Sequence, residues 1–351
     1  MKVIICSGGT GGHMFPACAL FKSMRRKGFD VSMITDGRGN AFCGDISEKT
    51  VLNTVRFSYK KLFSVVFHFI SIFLKFFGMW VANCPDVIIG FGGILTFVPI
   101  IVAKLFGAKV VIYEQNAIIG KANKLLQKVA DLKLSTFKLN ENWLEIAAPV
   151  REEFLKSHPY KCDKNIKILV MGGSQGALSF AKIIPEAMAL MSPKERNKIE
   201  IIQQVDRKNI QKLSEYYRSL EIKAILKIFI DNMAEIMNEA QLVICRSGAS
   251  TLSELAAIGR PAVLIPYPES SGNHQLYNAM YYQNKKAAWV LEEKQNIADE
   301  LTCLIRQILQ NRELLKVAAS NMINDSVKGA TDNFIKLIGG IMSSKRGENI
   351  K

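Results

Sequence analysis

Residues 3–13 read Val3-Ile4-Ile5-Cys6-Ser7-Gly8-Gly9-Thr10-Gly11-Gly12-His13. The β-branched apolar run predicts a buried strand and the glycine cluster a loop. From Pro16 onward Leu20, Phe21 and Met24 recur at helical spacing, which predicts a helix opened by the proline. Gly28 closes that helix, and residues 31–35 supply the next strand, so the chain begins as a β-α-β unit of a parallel sheet. Further strands are expected at 87–89 and 110–113. The same grammar restarts at 166–171, a strand followed by the loop Gly172-Gly173-Ser174-Gln175-Gly176-Ala177 and a helix from Leu178. Strands at 199–203, 224–228, 242–245 and 262–265 complete a second doubly wound half. Length agrees, because 351 residues exceed what one hydrophobic core usually organises. Ala147-Ala148-Pro149-Val150-Arg151 reads as the hinge. The expected class is α/β, with two Rossmann-like doubly wound domains.

A chain 49% hydrophobic and 22% charged is that of a folded globular protein. Its net charge of +15 favours anionic partners, whether phosphates, nucleic acid or an anionic bilayer face. The basic residues are dispersed and no aromatic-basic reading motif occurs, which argues against nucleic acid. Seven cysteines without Cys-x-x-Cys spacing encode neither a zinc site nor a disulfide framework, and a reducing compartment fits best. The N-terminal apolar run is too short for a secretory signal, so the mature chain is expected to begin at Met1. Residues 62–82 (LFSVVFHFISIFLKFFGMWVA) have the length of a membrane span. A span would put its flanks on opposite sides of a bilayer, whereas the strand at Val87 must pair with that at Val3. A helix whose apolar face dips into the membrane surface, flanked by Lys60 and Lys61, is therefore weighed ahead of a plain core helix and of a span.

Glycine loops between a strand and a helix let backbone amides approach an anion, and the helix dipole favours a phosphate there. Neither loop matches the dinucleotide or P-loop patterns. A third, Gly90-Phe91-Gly92-Gly93, also follows a strand, and three such loops point to a ligand crevice. His13 stands at the mouth of the first, where imidazole, with an ordinary pKa near 6.5, can accept a proton. A helix N-cap or a polar surface role is the equal alternative. The run Arg246-Ser247-Gly248-Ala249-Ser250-Thr251-Leu252-Ser253-Glu254 joins small residues, hydroxyls and an acid after a strand. Its amides and hydroxyls suit a diphosphate and Glu254 a ribose diol, although Thr251-x-x-Glu254 is also capping-box spacing. His274-Gln275-Leu276-Tyr277-Asn278 carries amides suited to sugar hydroxyls.

Taken in order, the first loop with His13, Gly90-Phe91-Gly92-Gly93, Glu114-Gln115-Asn116, Pro149-Val150-Arg151, Gly172 to Gly176, and Arg246 to Glu254 resemble one family over nearly the whole chain. It is the UDP-N-acetylglucosamine transferase family that converts lipid I to lipid II in bacterial peptidoglycan synthesis. The resemblance implies a type B glycosyltransferase fold with its two domains facing a cleft. It places the acceptor on residues 1–150, with a C-terminal helix 327–345 returning to them, and UDP-GlcNAc on 151–326. Thr10, Gly11, Gly12 and Asn116 then line the sugar or acceptor side, with Gly92 and Gly93 in the acceptor loop. Arg151, Ser174, Ile230 and Gln275 match donor contacts, and Ala249, Ser250, Thr251, Leu252, Ser253 and Glu254 the diphosphate and ribose loop. Tyr113 replaces the family's histidine, Asp231 and Asn232 stand where it has paired acids, and Gln203-Gln204-Val205 departs from its His-Gln-Ser-Gly pattern.

The implied reaction is a single inverting displacement. The C4 hydroxyl of the muramyl sugar attacks the anomeric carbon as UDP leaves, and His13 takes the hydroxyl proton. Helix N-termini with Ser174 take the place of a metal on the departing diphosphate, so no cofactor and no divalent ion are expected. The implied partners are UDP-GlcNAc, lipid I, an anionic membrane surface and other cell-wall enzymes, and the implied location is the cytoplasmic face of the inner membrane. Alternatives are a same-fold enzyme acting on another lipid, an epimerase, and a non-catalytic nucleotide-sugar sensor, which would not need the base.

Overall fold

A computed structural model of the chain describes residues 1–52, 62–162, 165–172 and 178–343. Two compact units emerge, one formed by 1–151 with 326–351 and the other by 152–325. Lys60, Lys61, the loop residues Gly173 to Ala177 and the basic tail from Lys345 lie outside the described residues.

The first unit runs β1 (Lys2–Cys6), α1 (Gly11–Arg26), β2 (Asp30–Asp36), α2 (Gly37–Asn40), β3 (Lys49–Leu52), α3 (Leu62–Asn83), β4 (Val87–Gly90), α4 (Phe97–Leu105), β5 (Lys109–Glu114), α5 (Lys121–Leu126), β6 (Leu132–Ser135) and β7 (Leu144–Glu145). Its strands form one parallel sheet in the order β3-β2-β1-β4-β5-β6-β7. The period-two alternation of a strand gives the sheet two apolar faces. Val3 and Ile5 pack on one side with Met14, Leu20 and Phe21 of α1. Ile4 and Cys6 pack on the other with Phe76 and Trp80 of α3. The chain's order across the sheet reverses between β1 and β4, where Cys6 pairs with Gly90. The glycine loops that leave these strands therefore start side by side at the switch point, where open α/β sheets bind ligands.

Val3 pairs with Val87 in this sheet, and β3, which precedes α3, belongs to it as well. Both flanks of residues 62–82 are thus held in one layer, and no described helix is long and apolar enough to cross a membrane. Phe76 and Trp80 of α3 are buried, but Ile70, Leu74, Phe77 and Val81, at helical spacing, are 50%, 62%, 42% and 65% exposed.

One expectation about α1 is corrected. The helix begins at Gly11, and Pro16 sits inside it. The N–H groups of His13 and Met14 both bond to the Thr10 carbonyl (3.1 and 3.2 Å), so helical geometry is established before the proline is reached.

The second unit continues with β8 (Ile166–Met171), α6 (Phe180–Ala189), α7 (Pro193–Arg196), β9 (Ile199–Gln204), α8 (Ile210–Ser219), β10 (Lys223–Lys227), α9 (Met233–Glu239), β11 (Leu242–Cys245), α10 (Ala249–Ile258), β12 (Ala262–Leu264), α11 (His274–Asn284), β13 (Ala288–Val290), α12 (Ile297–Gln310) and α13 (Glu313–Met322). Its parallel sheet has the order β10-β9-β8-β11-β12-β13. The switch point lies between β8 and β11, where Met171 pairs with Cys245. The last helix, α14 (Ala330–Ser343), belongs to the first unit. Its Phe334 is fully buried, with ring centroids 6.0 Å from Phe91 and 5.7 Å from Tyr113.

Candidate active site

In the first unit the β1 loop turns into α1 through Gly9, at φ +88°, a region costly for other residues. Thr10 is the N-cap, and it accepts the backbone bonds of the first turn without a side-chain cap. No acid occupies that turn, so its amides and dipole keep their positive character. His13 is the third helical residue, so it is not the N-cap, and it is half-buried. Thr10 and Gly12 are half-buried beside it and Gly11 is buried.

The β4 loop meets this turn directly. Gly92 (φ +83°) is so close to His13 that an added Cβ would stand 3.4 Å from its Cδ2 and Nε2 and 3.7 Å from Asn123 Nδ2. A Cβ at Gly93 (φ +84°) would lie 3.8 Å from the Gly8 carbonyl oxygen. Both glycines are therefore favoured by their positive φ angles, and at Gly92 the missing side chain also leaves the imidazole edge uncovered on that side.

Glu114 closes the third side. Buried at the end of β5, it accepts the Asn116 N–H and Nδ2 on one oxygen (both 3.1 Å) and the Gly120 N–H and Asn123 Nδ2 on the other (both 2.9 Å). Asn116 is thus oriented by its neighbour two residues back. Tyr113 is not in histidine's role here. Its hydroxyl pairs with Thr136 Oγ1, its ring packs on Phe91 and Phe334, and burial pushes its phenol far above the ordinary value. Arg151 lays its guanidinium over the Phe15 ring of α1 at 4.7 Å.

In the second unit the two loops leaving β8 and β11 again begin from paired strands. Ser174, in the first of them, lies outside the described residues. After β11, α10 starts at Ala249 with Gly248 as N-cap and no acid in its first turn. The capping-box alternative fails, since Thr251 and Glu254 are both inside the helix. Ala249, Thr251, Leu252, Ser253 and Glu254 are buried and Ser250 is half-buried. Ser253 Oγ bonds back to the Ala249 carbonyl (2.9 Å), which commits that hydroxyl to the helix. At the end of β11, burial pushes the Cys245 thiol up to about 12, which removes it as a nucleophile.

Two supports were not visible in the sequence. Arg246, 8% exposed, donates Nη1 to the carbonyls of Ile265 and Pro266 (both 3.1 Å) and Nη2 to Ser179 Oγ (3.0 Å), and it pairs with Glu293 at 2.6 Å. It therefore ties the ends of β11 and β12 to the start of α6. Gln275 Oε1 accepts the Tyr267 N–H (3.0 Å), and Ser247 Oγ donates to the Gln275 carbonyl (2.7 Å). Asn278, expected beside Gln275 as a sugar ligand, is instead buried and donates to the Ser247 carbonyl (3.2 Å). Ile230 is buried after β10. The Gln203 departure is structural: its amide bridges the Phe180 carbonyl (3.1 Å) and the Tyr217 hydroxyl (2.6 Å).

Residues 3–133 match the N-terminal domain of glycosyltransferase family 28, and residues 167–334 match its C-terminal domain. A Bartonella quintana protein is 38% identical over 333 residues, covering 90% of this chain and 88% of its own length. A Bartonella henselae protein is 35% identical with the same coverage. Both are named UDP-N-acetylglucosamine–N-acetylmuramyl-(pentapeptide) pyrophosphoryl-undecaprenol N-acetylglucosamine transferase. The crystal structure of Acinetobacter baumannii MurG is similar at a TM-score of 0.82 and 26% identity, covering 97% of this chain and all of that one.

Proposed function

The chain belongs to glycosyltransferase family 28, and from that membership we infer that it carries out the transfer its relatives are named for. It moves N-acetylglucosamine from UDP-GlcNAc to the C4 hydroxyl of lipid I, undecaprenyl-pyrophosphoryl-MurNAc-pentapeptide, to give lipid II of peptidoglycan synthesis. Relatives that carry the transferase name over nine-tenths of the chain leave the epimerase and sensor readings without support.

The observation that carries the mechanism is the seating of His13 against Gly92. Gly92 lies along the imidazole edge that carries Nε2 and adds no side chain there, and that is the edge by which the acceptor hydroxyl approaches in this reading. His13 takes the proton of the acceptor hydroxyl as its oxygen attacks the anomeric carbon. The C–O bond to UDP breaks in the same step, and the configuration inverts. Thr10, Gly11, Gly12, Gly92, Gly93 and Asn116 bound the acceptor, Asn116 being aimed by Glu114. In the second unit the amides opening α10, with Ser250 and Thr251, receive the diphosphate, and Glu254 the ribose diol. Gln275 has its oxygen committed to Tyr267, so its NH₂ is the end that donates to sugar hydroxyls. Arg151, Ser174 and Ile230 complete the donor contacts. The positive end of α10 stabilises the leaving diphosphate as charge develops, the role a divalent ion has in other transferases.

The exposed stripe Ile70, Leu74, Phe77 and Val81 on α3 supports peripheral attachment to the cytoplasmic membrane face, where lipid I resides, and the +15 charge favours its anionic lipids. Labelled UDP-GlcNAc incubated with purified lipid I in EDTA tests the reading. Lipid II forms without added metal if it is right. UDP release that does not depend on lipid I would favour a hydrolysing or epimerising enzyme.

A further inference from the structure

We propose that Asp36 is a positioning residue for the transfer, its carboxylate holding the Gly9 amide and through it the turn that delivers His13. The inference rests on the acceptor-side reading of that turn. Asp36 ends β2, on the opposite side of β1 from the Gly92 loop, and is 3% exposed. Its Oδ1 accepts the Gly9 N–H at 3.0 Å and the Gly39 N–H at 2.7 Å, so one oxygen joins the catalytic turn to the start of α2. Its Oδ2 lies 3.7 Å from the Arg38 guanidinium.

The packing leaves this carboxylate little freedom. A Cβ at Gly8 would stand 3.2 Å from Asp36 Cγ and Oδ1. A Cβ at Gly39 would collide with Thr35 Oγ1 and lie 2.9 Å from Sδ of Met14, the residue after His13. The α2 turn is therefore pressed onto the first turn of α1, and Asp36 locks the two together. Gly9, at φ +88°, is the flexible link between β1 and Thr10, whose carbonyl receives the His13 and Met14 amides. A hydrogen bond to the Gly9 N–H fixes that link at the point where it has most freedom to lose. The acid acts on the reaction only by placing that turn, and misplacing a reacting group by about 1 Å can cost on the order of a hundredfold in rate.

The test uses the full chain with Asp36→Ala and Asp36→Asn, measuring kcat and KM for transfer to lipid I, Kd for UDP, and hydrogen exchange at residues 8–14. Asparagine keeps an oxygen that can accept both amides, so its kcat should stay within about threefold of wild type. Alanine should lower kcat at least about tenfold, with KM for UDP-GlcNAc and Kd for UDP unchanged, and should speed exchange at Gly9. An alanine variant with wild-type kcat, an asparagine variant that falls as far as alanine, or a Kd for UDP that moves in step would each overturn the proposal. If Asp36→Ala does not fold, Gly8→Ala decides, since its methyl presses on the same carboxylate: kcat should fall with KM held, and an unchanged kcat refutes the role. Absence of lipid II with wild type would refute the proposed reaction instead, while the exchange comparison still decides whether Asp36 holds the turn.

Discussion

Replacing Gly92 with alanine probes the contact on which the mechanism turns. The new methyl would stand 3.4 Å from His13 Nε2, whereas a hydroxyl that gives its proton to that nitrogen must come within about 2.6–3.2 Å. The methyl and the acceptor oxygen therefore compete for the same edge of the ring. A general base contributes on the order of 10²–10⁴ to rate, so kcat for transfer should fall at least about a hundredfold. Stability should change much less. Holding alanine at φ +83° costs about 1–2 kcal/mol, or roughly 2–8 °C in Tm for a unit of this size. Affinity for UDP should stay at the wild-type value, because the donor contacts assigned to UDP that are described in the second unit lie outside the substituted loop. Transfer of labelled N-acetylglucosamine to lipid I, calorimetric UDP titration and a melting curve read the three quantities. A folded variant with kcat within about threefold of wild type would show that the proton does not leave by this edge, and the reasoning would fail.

Two further predictions address the donor and the fold. Gln275→Leu keeps the side-chain volume but removes both the acceptor for the Tyr267 N–H and the donor for the sugar, so KM for UDP-GlcNAc should rise about tenfold, near 1.4 kcal/mol; an unchanged KM would remove Gln275 from the donor set. Asp131 is subject to burial, which raises its pKa, but the Lys104 hydrogen bond, the Val110 amide and the Lys104 and Lys109 charges outweigh it and hold the carboxyl below its usual range. Its stabilisation is present above the unfolded carboxylate value of about 3.9 and is lost as pH falls through the lower folded value. Asp131→Asn should therefore lower Tm at pH 7 by the equivalent of about 1–3 kcal/mol, and the gap should begin to narrow below about pH 4 and close once pH is below the lowered folded value. A gap that persists in acid would place the effect elsewhere.

The parts of the fold legible in the sequence were those in which one signal dominates. Residues 168–171 and 242–245 are unbroken apolar runs, and the strands end where those runs end. Two edge strands, β3 (Lys49–Leu52) and β7 (Leu144–Glu145), are short and mixed in character, so no periodicity marks them. The start of α1 was hidden because Pro16 competes with glycines as a start signal, and the Thr10 carbonyl decides in favour of Gly11. Sequence placed His13 at a loop mouth but could not say what it faces. That depends on the crossover that brings β4 beside β1, a pairing 84 residues apart in the chain between Val3 and Val87. Asp36 was missed for the same reason, since an acid at a strand end reads as an ordinary turn residue until β2 is laid against β1. Arg246 was read as part of a ligand run, and only the positions of Ile265, Pro266 and Ser179 reveal it as a brace.

His13→Ala tests the account most directly. Single-turnover transfer from labelled UDP-GlcNAc to lipid I should slow at least about a hundredfold, while UDP binds as it does to wild type. Turnover close to wild type in a folded variant would contradict the assignment of His13 as the base and the mechanism built on it.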